Sequence, residues 1–153
     1  MVKIVANPLK EVHGVKFGMK RDEVRSILGT ATEFKKTPFS KTTTDDFRFC
    51  HVFYNINGEC EAIELFEETE VIVDGTVVFP TNIETVKKIF SDLTENDDSF
   101  ISKSQSIGIY APCGKMESIL FGISGYYDWL KKTISLTPFL TPIMFSTSKN
   151  EKP

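Results

Sequence analysis

One short pattern occurs twice in this chain, and the repetition limits the folds open to it. Tyr54-Asn55-Ile56-Asn57-Gly58-Glu59-Cys60-Glu61-Ala62-Ile63 is matched by Tyr110-Ala111-Pro112-Cys113-Gly114-Lys115-Met116-Glu117-Ser118-Ile119, so that Tyr, Gly, Glu and Ile each recur 56 residues apart. A small Ala or Ser precedes each Ile, and both copies run into an apolar stretch, Leu65-Phe66 and Leu120-Phe121. Each copy follows a segment with helical periodicity. The expected fold class is α+β: a curved antiparallel sheet with two helices packed on one face, made of two helix-hairpin repeats. A chain built as helix plus hairpin, twice, suits a binding scaffold better than an enzyme.

The local signals place the elements. Val24, Ile27 and Leu28 share one helical face, with Asp22 and Glu23 in the first turn and Gly29 as the stop. That helix has no Ser, Thr, Asp or Asn between Met19 and Arg21 to cap it. Residues 30–46 read as a loop or irregular edge, and 47–54 as a strand. Asn57-Gly58 and Asp74-Gly75 are tight hairpin turns, because both positions of each tolerate positive φ. The second unit begins at Pro80, with Thr81 or Asn82 capping a helix from Ile83 to Leu93 whose buried face is Val86, Ile89, Phe90 and Leu93. Residues 96–99 read as a loop and 100–104 as a short strand. A second hairpin then turns at Cys113-Gly114. The chain is expected to form a single domain over residues 1–145, with repeat units of about 14–79 and 80–130 and a disordered tail over 146–153.

Two-residue turns fix a register. Asn57-Gly58 puts Tyr54 opposite Glu61 and Val52 opposite Ile63; Cys113-Gly114 puts Tyr110 opposite Glu117 and Gly108 opposite Ile119. The repeated Tyr and Glu then become cross-strand neighbours in both units, a pairing that either sets register or lines a recognition surface. Phe47, Phe49, Phe53 and Phe66 lie on the face opposite Tyr54. That face is either a binding surface or is covered by a C-terminal segment bearing Trp129, Leu136 and Phe139.

Charge is unevenly spread. Residues 49–100 hold 2 Lys/Arg and 12 Asp/Glu, a net charge of −10 within a chain whose total is −3. Phosphates repel such a segment, so nucleic acid is an unsuitable partner and a basic protein a suitable one. Glu61, Glu64, Glu67 and Glu68 are its densest part; strict alternation puts Glu61 and Glu67 on one face of the strand and Glu64 on the other. Cys50, Cys60 and Cys113 are an odd number without C-x-x-C spacing, which argues against a disulfide framework or a zinc site. The N-terminus reads as too short and polar for a signal peptide, and no apolar run approaches a membrane span, so a reduced cytoplasm is the expected location.

Phe17-Gly18-Met19, Val24 and Leu28-Gly29 together resemble the G-M-T-x-x-x-V-x-x-x-L-G helix of the β-lactamase inhibitory protein family and of the small outer-membrane lipoproteins of the β-barrel assembly machinery. The likeness covers roughly residues 14–122. It implies helix-hairpin units packed on one antiparallel sheet whose concave face grips a partner. Lys20 stands where the family has a capping Thr, the second helix lacks the flanking Gly-Met and Gly, and the family's export signal and cysteine pairs are missing. The words G-x-x-F-G-M and Y-x-x-x-G-x-x-E-x-I-E-L-F also resemble small cytoplasmic bacterial proteins, some of which serve as immunity partners of secreted toxins.

Catalytic constellations are not evident. Cys50 and His51 are adjacent in a strand and point to opposite faces, His13 is remote, and no G-x-G-x-x-G, Walker A, G-x-S-x-G or H-E-x-x-H occurs. No cofactor, no metal and no catalytic residue is expected. The expected function is protein-protein recognition, as an inhibitor or a toxin-immunity protein, through Tyr54, Glu61, Glu64, Glu67, Glu68, Tyr110, Glu117 and Trp129. The alternative is a small-ligand-binding module on the concave sheet face, with Tyr54, Tyr110 and Trp129 as walls.

Overall fold

The computed structural model describes residues 1–128; Trp129, Leu136, Phe139 and the expected tail lie outside the described residues. The strands are β1 (Val2–Asn7), β2 (Glu11–Val12), β3 (Val15–Lys16), β4 (Thr32–Phe34), β5 (Thr44–Asp46), β6 (Cys50–Tyr54), β7 (Cys60–Phe66), β8 (Thr69–Val73), β9 (Thr76–Phe79), β10 (Thr94–Asn96), β11 (Ser99–Ser102), β12 (Ile107–Tyr110) and β13 (Ser118–Gly122). The helices are α1 (Arg21–Leu28) and α2 (Ile83–Ile89). The strands form two sheets rather than one. An eight-stranded antiparallel sheet has the order β10-β11-β12-β13-β7-β6-β5-β4, and a five-stranded sheet has the order β3-β2-β1-β8-β9, antiparallel except for the parallel β1–β8 pair. Within the larger sheet, α1 precedes the meander β4–β7 and α2 precedes the meander β10–β13; the two meanders meet at β7 and β13.

One face of the large sheet is the main core. Val52, Ile63, Leu65, Ile109, Ile119 and Phe121 pack there with Val24 of α1, Val86 of α2, and Ile4, Val71 and Phe79 of the small sheet. Residues on the opposite face form a smaller cluster of Phe53, Ala62, Ile101, Leu120 and Tyr127. Both helices start where their flanks dictate, but α2 stops at Ile89, short of the expected Leu93, because Phe90 turns to extended backbone at φ −111°. Asn82 caps α2 by accepting from the Thr85 N–H at 2.9 Å. Uncapped by its own side chain, α1 instead has the Glu23 carboxylate accepting from the Lys20 N–H at 3.0 Å. Gly29 ends it at φ 101°. Of the expected α1 face only Val24 is fully buried; Ile27 is 43% exposed.

The hairpins separate what local sequence decides from what it does not. Asp74 (φ 50°) and Gly75 (φ 78°) form the expected two-residue turn, with Val73 opposite Thr76. At Asn57-Gly58 only the glycine is left-handed, at φ 77°. Asn55 Oδ1 accepts from the N–H groups of Asn57 and Glu59, which lengthens the loop. Val52 does face Ile63, but a bulge puts Cys60, not Glu61, opposite Tyr54. The second hairpin turns through a 3-10 segment at Pro112–Gly114, so Tyr110 faces Ser118 rather than Glu117, and Gly108 faces Leu120 rather than Ile119. A slip of one residue exchanges faces. Tyr110 therefore packs on the smaller cluster, as Phe53 does, while Tyr54 lies in the main core.

Three further expectations change. Residues 30–46 carry two strands, the edge strand β4 and its neighbour β5, and residues 94–102 are a hairpin turning at Asp97-Asp98 rather than loop then strand. Phe47 and Phe49 belong to the main core, because Arg48 (φ 80°) makes a turn ahead of β6 and breaks the alternation.

Candidate functional site

At one end of the large sheet the register gathers carboxylates. Ser118 faces Phe66, so Glu117 and Glu67 are the next pair beyond the strands, and Glu68 follows in the β7–β8 turn. Two strands further across, the Ala111 N–H donates to the Asp98 carbonyl at 2.7 Å, bringing the Asp97-Asp98 turn to the same end. Glu67, Glu68, Asp97 and Asp98 are exposed and Glu117 is half-buried. From β11 to β7 the row spans about 15 Å at the usual spacing of strands. Beside it lies a groove of about 650 Å³ walled by Pro80, Met116 and Thr81, with Glu67 and Lys115 on its rim. The Thr81 N–H donates to Met116 Sδ at 3.4 Å, which joins the two walls.

The other expected site residues are dispersed. Tyr54 is 3% exposed and donates its hydroxyl to Asp45 Oδ2 at 2.9 Å, not to a glutamate. Glu64 is fully buried. Glu61 and Glu64 do not take opposite faces: the bulge at Cys60-Glu61 turns Glu61 over, and the charges of both act on Lys36 and Tyr126. Cys50 and Cys60 are buried, and burial pushes the Cys60 thiol up to about 12, so neither is poised as a thiolate. His51 packs edge-on between Phe34 and Phe66 at 4.9 and 4.7 Å, on the other face of β6 from Cys50.

No family model, curated protein or solved structure matches this chain.

Two constellations carry no sequence motif. The first fastens α1 to the sheet edge. Arg25 grips the buried Asp45 carboxylate with Nε and Nη2 at 3.0 and 2.7 Å, and Arg21 Nη1 adds a bond at 3.2 Å. Arg21 also stacks over the Tyr54 ring at 4.3 Å. Glu33 closes the network from β4, and the Arg25 guanidinium holds its carboxyl below the usual glutamate range. Arg21 and Arg25, one helical turn apart, are the signal; Asp45 is invisible without the fold.

The second is a cleft of about 160 Å³ on the opposite face, between the 36–44 loop, β6, the start of β7 and Tyr126. Lys36 Nζ sits 4.4 Å from the Phe53 ring centroid. Burial pushes this ammonium below the usual lysine range, and the charges of Glu64 and Glu61 oppose the drop. Burial pushes the Glu61 carboxyl up, and Lys36 pulls it back. The Tyr126 phenol is raised by burial and by the two glutamates. Among the described residues no group of three or more His, Cys, Asp or Glu is arranged to hold a metal ion, and no helix is long and apolar enough to cross a membrane.

Proposed function

We propose that this chain is a protein-recognition module that takes a basic partner segment along the acidic end of its large sheet. The observation that carries the reading is the convergence of Glu67, Glu68, Glu117, Asp97 and Asp98 beside an apolar groove. The carboxylates would steer and orient a cationic segment, and Pro80 and Met116 would take its apolar side chains. Of the twelve carboxylates in residues 49–100, Glu67, Glu68, Asp74, Glu84, Asp92, Glu95, Asp97 and Asp98 are exposed; of these, Glu84 pairs with Lys87 and Asp92 accepts from Ser102. Two meanders, each led by a helix, support the tandem-repeat scaffold behind this reading, although the matched residues Tyr54 and Tyr110 lie on opposite faces of the sheet. The resemblance to the inhibitor family suggests its sharpest form, an inhibitor or toxin-immunity protein.

The test uses a lysine-rich peptide and the amide spectrum of the full chain. The peptide is expected to perturb Glu67, Glu68, Lys115 and Glu117 and to bind progressively less well as salt shortens the Debye length below about 8 Å. Glu67→Gln, Glu68→Gln and Glu117→Gln combined should weaken it. Salt-insensitive binding, perturbation confined to other strands, or an unaffected triple variant would each refute the acidic-end reading.

A further inference from the structure

The cleft at the far end of β7 lies about 20 Å from the acidic row, since Glu61 and Glu67 are six residues apart along an extended strand. Its size and charge are both specific. A volume of about 160 Å³ is below the roughly 300 Å³ at which ordinary ligand pockets begin, and holds about five waters. A nucleotide or a sugar chain does not fit; a molecule of a few heavy atoms does.

The charges inside are separated rather than paired. Among the described residues, Lys36 makes no hydrogen bond and no ion pair within 4.0 Å, and rests on the Phe53 ring. Glu61 likewise has no hydrogen-bond partner among them, although it is half-buried. A half-buried charge without a direct partner is costly, and here one of each sign faces the same small space. A lone anion on Lys36 would lie against the field of Glu61 and Glu64. A lone cation on Glu61 would lie against Lys36 and Lys41. A ligand carrying both charges relieves both groups at once, with Tyr126 and Phe53 left as walls for its apolar part.

We propose that this cleft binds a small zwitterion of α-amino-acid size, its carboxylate on Lys36 and its ammonium on Glu61. The assignment rests on the cleft alone and is independent of the acidic end of the sheet.

The test is a panel of probes on the wild-type full chain, read by amide shifts of residues 36–44 and 61. L-Alanine is expected to give saturable shifts there. Propionate and ethylamine, which keep one charge each, are expected to bind roughly tenfold or more weakly, since each forfeits a charge-assisted contact. Inorganic phosphate should not compete. Lys36→Met and Glu61→Gln, checked for folding by circular dichroism, should each abolish saturation by L-alanine. The proposal is overturned if L-alanine gives no saturable shift, or if propionate or phosphate binds as well as L-alanine, because the cleft is then an anion site. It is also overturned if either folded variant retains wild-type binding. Should a variant not fold, the wild-type panel decides the matter by itself.

Discussion

Replacing Asp45 by Asn tests the arrangement of α1 on the sheet most directly. The side chain is fully buried and receives four charge-assisted bonds, from Arg25 at 3.0 and 2.7 Å, Arg21 at 3.2 Å and the Tyr54 hydroxyl at 2.9 Å. Asn preserves the volume and removes the charge. It also converts one acceptor oxygen into a donor. With the amide at the Oδ2 position, a donor faces Tyr54 Oη and Arg25 Nε; at the Oδ1 position it faces Arg25 Nη2 and Arg21 Nη1. Breaking a buried pair by removing one partner costs about 3–5 kcal/mol. The arginine side chains are 32% and 22% exposed, so water can rehydrate their freed N–H groups, and the lower end of that range, about 3 kcal/mol, applies. Domains of this size lose about 2–4 °C in Tm per kcal/mol, which makes the expected drop about 6–12 °C. Urea unfolding checks the magnitude, with Tyr54→Phe alongside. Tyr54→Phe removes one bond to a charged acceptor and should cost about 1.5–3 kcal/mol. The pair should be non-additive in a double-mutant cycle, because both changes act on one carboxylate. A loss below about 1 kcal/mol for Asp45→Asn at unchanged m-value would show that the network is not what seats α1.

Two other perturbations are read from the smaller cluster and the cleft. A Cβ built on Gly122 would meet the Tyr126 side chain at 2.6 Å, so Gly122→Ala should displace that ring, cost about 1–3 kcal/mol in urea unfolding and alter the Tyr126 ring resonances; unchanged resonances would sink the packing argument. The raised Glu61 carboxyl gives a pH signature. In the window from the ordinary glutamate value up to its raised folded value, the native state holds more protons than the unfolded one, so stability falls as pH rises through that window. Glu61→Gln should flatten this part of the stability profile, and an identical slope in wild type and variant would refute the assignment.

The legible parts of the fold are those set by neighbours in sequence. Asn82 capping α2, Gly29 ending α1 and Asp74-Gly75 turning the β8–β9 hairpin all follow from φ preferences and side-chain bonds within four residues. The candidate sites are less legible. Charge and repetition single out Glu67, Glu68 and Glu117, and the register brings them to one end of the sheet. Lys36, Phe53 and Tyr126 come together only because the 36–44 loop and the turn after β13 fold over the same face. No spacing in the sequence announces that meeting.

By itself, the sequence determined where the helices start and where the Asp74-Gly75 turn falls, because each depends on local stereochemistry; the polar strands β4, β5 and β10 carry no apolar run and form only through their sheet neighbours. Tertiary structure decided which face each side chain occupies. An Asn55-ordered loop and a bulge shift one hairpin, and Pro112 lengthens the other. Tyr54 and Tyr110, alike in sequence, thereby end on opposite faces. A strand has a period of two, so one extra residue in a loop reverses everything beyond it, and no local propensity records that choice.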